Sequence, residues 1–295
     1  MHAIFSKRGT GLCLLAAVWL GAAHAEPAPG PVDVKGARGS LRFEQWDLRH
    51  GSWNVARYQG TGGTFRLYHL PGQRSYPGAG QAMSASPDGL SPGGRYAMFE
   101  RVEYGLVDQA PGESVESEQA YCEAIDLDSG CVVYSYAIVA CDGQWQGERW
   151  QPRSVASAEF AKGPSPGDLA RSAAGEGDPA QRASGLLDAL RVGVGAYTAC
   201  HPASTDNLAD YNNIAFYLAQ GGQHAVALAL YEKLLALAPQ RVPLQLNVAD
   251  SLWAMRRYEQ ARPHYAAYRA AMLQAGSAAS IPGRVEQRLA RAPIQ

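Results

Sequence analysis

Two stretches near the C-terminus, Asn207 to Pro239 and Arg241 to Leu273, repeat one apolar pattern at an offset of 34 residues. The first copy carries Ile214, Ala215, Leu218, Ala227, Tyr231 and Leu234; the second carries Val248, Ala249, Leu252, Ala261, Tyr265 and Tyr268 at the matching positions. Small residues at Ala215, Ala227, Ala249 and Ala261 let two antiparallel helices approach, and the large ones fill the space between one pair and its neighbour. A chain with this period folds here into stacked helical hairpins. The pattern predicts helices over 207–220 and 224–237, closed by Gly221-Gly222 and Pro239, then over 243–255 and 259–275. Pro263 is placed in a first turn, where a missing N–H costs little, and Gly276 marks a stop. A last helix over 283–292 is amphipathic through Val285 and Leu289, with Arg284, Arg288 and Arg291 on another face.

This arrangement resembles the tetratricopeptide repeat, whose unit is a helix-turn-helix of the same length. The resemblance covers about residues 207–275. It implies a protein-interaction scaffold whose first helices line a concave groove, without naming the partner. On that reading Asn213 and Asn247, one repeat apart, bond a partner. Asn212, Phe216 and Gln220 from one copy, and Leu246, Asp250 and Trp253 from the other, share their face by i, i+3 and i+4 spacing. Trp253 is the candidate anchor. The alternative, in which Phe216 and Trp253 pack on the chain's own sheet domain or linker, stays open. Two copies fall short of the three or so that bury a continuous core. Their ends therefore need cover, from the segment 186–199, the helix holding Leu289, the β-domain, or a second copy.

At the other end, Lys7 and Arg8 precede an apolar run from Leu12 to Leu20, and Ala23-His24-Ala25 supplies a small-residue cleavage site. This reads as a signal peptide over 1–25. The run is shorter than the ~18 apolar residues of a membrane span, and Cys13 lies inside it rather than after it, as a lipid anchor would require. The expected location is periplasmic or secreted. Removing Lys7 and Arg8 leaves 24 basic against 27 acidic residues, a balance that points away from nucleic acid. Residues 26–200 carry 15 basic and 21 acidic groups and residues 201–295 carry 9 and 6, so the repeats are the side toward which an acidic partner is steered, weakly, given screening over ~8 Å.

Four cysteines remain, Cys122, Cys131, Cys141 and Cys200, and an even number in an exported chain reads as two disulfides. Three connectivities are possible. With a hairpin turn at Asp128-Ser129-Gly130, Cys131 is expected opposite Leu127, which places Cys122 and Cys131 on opposite faces and disfavours a direct bond. Cys200 must then reach back to the hairpin. A zinc site lacks any C-x-x-C spacing.

The chain divides into a β-rich domain over 26–160, a Gly-, Pro- and Ser-rich linker or exposed loop over 161–185, a bridging segment over 186–206 that starts as a short helix, and the helical part over 207–295. Strand signals run from Ser40 to Pro152: Phe65 to Leu70, Arg95 to Val107, Ala120 to Leu127 and Cys131 to Cys141, with Asp142-Gly143 turning toward Trp145 and Trp150. The segments Ser86-Pro87-Asp88-Gly89 and Asp126 to Gly130 share turn chemistry with propeller blades, but the length holds about three blades where closed propellers need four or more. The fold class is α+β: an antiparallel sheet domain, then a short tetratricopeptide-like helical array.

Chemical motifs are sparse. Gly89-Leu90-Ser91-Pro92-Gly93 matches the G-x-S-x-G string, but Pro92 lacks the N–H a nucleophile elbow uses. Asp126, Asp128 and Gly130 break the calcium-loop pattern and fit a hairpin turn. Glu113, Glu116 and Glu118 read as a solvated loop. His50, His69, His201, His224 and His264 show no metal spacing, and His224 and His264 are placed at helix starts. No cofactor or metal is implied. The expectation is an exported, non-catalytic adaptor or scaffold of the bacterial cell envelope that holds a protein or peptide in the groove, in a sharper form an inhibitor or immunity-type binder of one exported protein. The competing class is a periplasmic hydrolase using His50, His69 or Ser91 in the β-domain.

Overall fold

The computed structural model describes residues 28–73, 79–110, 113–156 and 159–290, with the side chains of 108–110 left out. The expected signal segment and its cleavage point lie outside the described residues. An antiparallel sheet comes first and helices follow, an α+β layout. The sheet holds β1 (Val32–Lys35), β2 (Gly39–Asp47), β3 (Ser52–Gly60), β4 (Gly63–Arg66), β5 (Gly80–Leu90), β6 (Tyr96–Ala110), β7 (Glu113–Asp126) and β8 (Cys131–Ala137). Their order is β1-β2-β3-β5-β6-β7-β8, with β4 paired to β3 alone. A ribbon of β9 (Gly143–Gln146) and β10 (Arg149–Pro152) stands apart.

Period-two alternation lets the sheet bury both faces. Leu41, Phe43, Ala56, Tyr58, Ala97, Phe99, Ile125 and Leu127 form one apolar layer, which also takes in Ala196 of a later helix. Met98, Cys122, Ala124 and Val133 face the other way and pack with Trp150 of β10. The strand expected from Phe65 to Leu70 stops at Arg66: Tyr68 takes a left-handed backbone with φ of 50°, and its amide turns away to the Val192 carbonyl. Glu113, Glu116 and Glu118 belong to β7 and not to a loop.

The helices are α1 (Pro166–Gly175), α2 (Pro179–Ala189), α3 (Val194–Cys200), α4 (Leu208–Gln220), α5 (His224–Leu237), α6 (Val242–Ala254), α7 (Tyr258–Gln274) and α8 (Gly283–Ala290). All of the repeat positions named above are buried. The stretch expected as a linker over 161–185 instead holds α1 and the start of α2. Its Ser, Pro and Asp residues are cap chemistry: Ser165 and Asp168 form a capping box with Pro166 first in the helix, and Asp178 accepts from the Ala180 and Gln181 amides ahead of α2. Both helices pack on α4, and Leu169, Ala173 and Leu186 join the helical core. At the far end α8 buries Val285 completely against the array. Pro263 lies beyond the first turn of α7, inside the helix, so its missing N–H removes an intrahelical bond. His264 follows it in the helix interior and is likewise not at a helix start.

Two disulfides are present, Cys122–Cys141 and Cys131–Cys200. The first staples β7 to the short 3-10 turn Ile138–Cys141 that follows β8, and the second joins β8 to α3. Cys131 lies opposite Asp126 and not Leu127, because Leu127 to Gly130 all belong to the turn. Opposite Asp126, four residues from Cys122, Cys131 joins the same apolar cluster as Cys122, yet each bonds a different partner. Among the described residues no helix is long and apolar enough to cross a membrane.

Candidate functional site

The first helices of the two repeats, α4 and α6, carry the residues expected to meet a partner. On α4, Ala209, Asn213, Phe216 and Gln220 are exposed along one stripe, at intervals of four, three and four. Phe216 keeps 39 % of its surface in solvent, and its ring lies 5.9 Å from that of Tyr217. Asn247 of α6 donates from Nδ2 to Asn212 Oδ1 at 3.1 Å, which ties the two first helices together through side chains. Leu246 is half-buried and rests against the helical core. Gln220 accepts a bond from Arg182 Nη1 of α2 at 3.1 Å, and the Arg182 guanidinium lies 4.7 Å over the Tyr217 ring.

On α6 the counterpart of Phe216, Asp250, is engaged by the chain itself. Asp250 accepts from Arg284 Nη2 at 2.8 Å, from Arg288 Nη1 at 2.5 Å and from the Tyr265 hydroxyl at 2.7 Å. The Arg288 guanidinium stands 5.1 Å over Trp253 and 5.5 Å over Tyr265, and Trp253 also meets Tyr258 and Tyr265 ring to ring at 4.6 and 6.1 Å. Burial, then Asp250, pushes the Tyr265 phenol well above its ordinary range. The structure thus divides the eight expected residues. Asn213 and Phe216 face solvent, Asn212, Leu246 and Asn247 line the junction of α4 and α6, and Gln220, Asp250 and Trp253 are engaged by α2 and α8. The amphipathic pattern of the last helix revealed its arginine face, but nothing local marks Asp250 as the acceptor or Arg182 as the residue that covers Gln220.

The sheet's candidate residues serve turns. Ser91 is 2 % exposed; its hydroxyl donates to Glu148 Oε2 at 2.6 Å and accepts the Arg95 and Tyr96 amides at 3.1 and 3.0 Å. Glu148 also accepts the Gly93 amide. Asp126 accepts from Arg95 Nη2 and from the Asp128 amide, and Gly130 turns the hairpin with φ of 86°. His50 holds Asp47 Oδ2 through Nδ1 at 2.9 Å and stacks on Tyr104 at 3.8 Å, with Glu118 3.7 Å from Nε2. The pair holds Asp47 below the ordinary carboxylate range through its hydrogen bond to His50. Carboxylates stand at both ring nitrogens of His50. Among the described residues no group of three or more His, Cys, Asp or Glu side chains is placed to hold a metal.

No protein-family model matches this chain, and no curated protein does.

Proposed function

We propose that the protein is an exported, non-catalytic binding protein of the bacterial cell envelope, and that its tetratricopeptide-like array holds an extended segment of a protein partner across α4. One observation carries the reading: Phe216 stands exposed beside Asn213 on the first helix whose stripe α8 leaves uncovered. An apolar ring flanked by amides is what a peptide needs, a side-chain contact together with bonds to its backbone. Burying Phe216 contributes on the order of 1.5–3 kcal/mol. The excess of basic residues after position 200 favours an acidic segment. The two disulfides fit an oxidising compartment, and the burial of both sets of repeat positions supports the family resemblance. A hydrolase built on Ser91 gains nothing from the geometry, since its hydroxyl is engaged by Glu148 and two amides.

The test is a comparison of bait proteins in extract from the native compartment: the wild type, Phe216→Asp with Asn213→Ala, and, as control, Arg153→Gln just after β10. The reading expects one partner retained by the wild type and the control and lost by the α4 double variant, with all three baits melting cooperatively. Equal retention by all three, or no partner retained by the wild type, sinks it.

A further inference from the structure

The sheet side carries a cavity that the helical reading does not use. Strands β3 and β5 share a single register pair, Trp53 with Met83, and β3 then continues alongside β4. The sheet therefore branches, and a polar cavity of about 590 Å³ opens there. That volume falls within the range of small-molecule sites, roughly 300–1,000 Å³.

Its walls depart from regular strand geometry. Gln45 and Asn54, opposite one another in β2 and β3, drop out of the ladder that pairs Glu44 with Val55 and Trp46 with Trp53, and both line the cavity. Gln45 has φ of 63° and Tyr68, also in the wall, φ of 50°. Such backbone at a non-glycine residue persists only where the surroundings impose it, and it gathers at binding sites. Here the surroundings are explicit. Gln81 Nε2 donates to the Tyr68 carbonyl at 3.0 Å, the Tyr68 amide donates to Val192 at 2.9 Å, and the Leu67 amide donates to Ala56 at 2.8 Å.

The charges in this wall are unevenly matched. The Glu103 carboxylate is taken by Arg101, whose guanidinium is sandwiched between Tyr68 and Tyr121 at 4.1 and 4.3 Å and bonds Glu123 at 2.9 Å. Arg66 also lines the cavity, and among the described residues its buried Nε has no acceptor and no carboxylate pairs with it. His69 on the rim has its pKa lowered by desolvation and then by the Arg66 charge, which sets two bases side by side. A buried guanidinium donor without an acceptor calls for an oxyanion, and the planar fork fits a carboxylate with two parallel bonds. A phosphate dianion calls for more cation than Arg66, the one arginine or lysine among the described residues of this wall, and Glu103 on the same wall adds to that bias against it.

We propose that this cavity binds an organic monocarboxylate through Arg66, with Gln45 presenting its amide to the ligand's polar substituents. The carboxylate is that of a free hydroxy acid or of a peptide C-terminus. The loop bordering the cavity also meets the helices: Leu70 packs in the helical core and Gln73 Nε2 donates to Gln223 at 2.6 Å. Occupancy therefore touches the array, although the site stands independently of the α4 face.

Isothermal titration of the full chain with gluconate, acetyl-tetraalanine, its C-terminal amide and inorganic phosphate tests this. The expected result is saturable binding of gluconate or of the free-acid peptide, none of the amide and weaker binding of phosphate. Which acid binds identifies the source. Arg66→Gln lowers the affinity at least about tenfold, and Arg171→Gln on α1 leaves it unchanged. Should Arg66→Gln fail to fold, Arg66→Lys, which keeps the stem and charge but loses the fork, is expected to bind more weakly than the wild type. No binding of either acid, equal binding of amide or phosphate, or wild-type affinity in the folded Arg66 variant overturns the assignment.

Discussion

Residue for residue, the pair α4–α5 and the pair α6–α7 share one interior: Ile214 answers Val248, Ala215 answers Ala249, Tyr231 answers Tyr265, and all are buried. Their outer faces part company. Phe216 stands in solvent, whereas Asp250, one repeat later, is held by Arg284, Arg288 and Tyr265. The two tyrosines differ for the same reason, since the Tyr265 hydroxyl reaches Asp250 and the buried Tyr231 hydroxyl has no partner among the described residues. A repeat specifies how helices stack; what each outer face does depends on its neighbour in space. Arg284 and Arg288 of α8 reach Asp250 on α6, and among the described residues no bond from α8 reaches the exposed stripe of α4.

The largest effect expected from this comparison is in the shared interior. Tyr231→Ala and Tyr265→Ala should each cost about 3–5 kcal/mol in urea unfolding, with Tyr265→Ala the worse because Asp250 also loses a donor. A cost near zero at either site would break the equivalence of the two interiors. Next comes the outer face. Asp250→Ala strips three donors of their acceptor and should destabilise by ~1–2 kcal/mol, toward the low end for a half-exposed group, while Phe216→Ala should cost under ~0.5 kcal/mol. The reverse ranking would mean that α4 is the covered helix.

Hydroxyl removal sharpens the contrast further. Tyr265→Phe should lose about 1 kcal/mol, and Tyr231→Phe should be neutral or slightly stabilising, since it removes a buried group that lacks a partner. Thermal melts of the two variants side by side would show opposite or unequal shifts. Smallest is the pH effect. Burial lowers the pKa of His224 and His264 below the unfolded value, so the unfolded chain takes up protons first as pH falls. Their contribution is complete above about pH 6.5 and is lost as pH drops through the folded values. His264→Gln should flatten part of the fall in Tm between neutral and mildly acid buffer, and an unchanged slope would remove His264 from this account.

The four helices of the two repeats follow from spacing to within a residue, as with α5 at His224–Leu237, because apolar period and turn residues act over a few positions; the expected end of the last helix at 292 lies outside the described residues. The same local reasoning misreads Pro166 and Pro179. Pro, Ser and Asp mark helix starts as well as linkers, and the difference lies in whether Leu169 and Leu186 find α4 to pack on. Tyr68 defeats the strand expected over 65–70, since alternation cannot register a left-handed residue imposed by Val192. For the candidate site, Asn213 and Phe216 are readable from their place in the repeat. Arg182 over Gln220 and Arg288 over Trp253 are not, since each contact joins residues more than thirty positions apart.

What the amino-acid order dictates unaided is the stacking of helix pairs after residue 207, the strand-rich half before it, and the availability of four cysteines for two bonds. The fold had to choose which cysteines meet, which face α8 covers, and where β3 leaves β5 to open a cavity around Arg66. The division is physical: spacing and caps act within a few residues of chain, whereas pairing, cover and cavities arise between segments that only packing brings together.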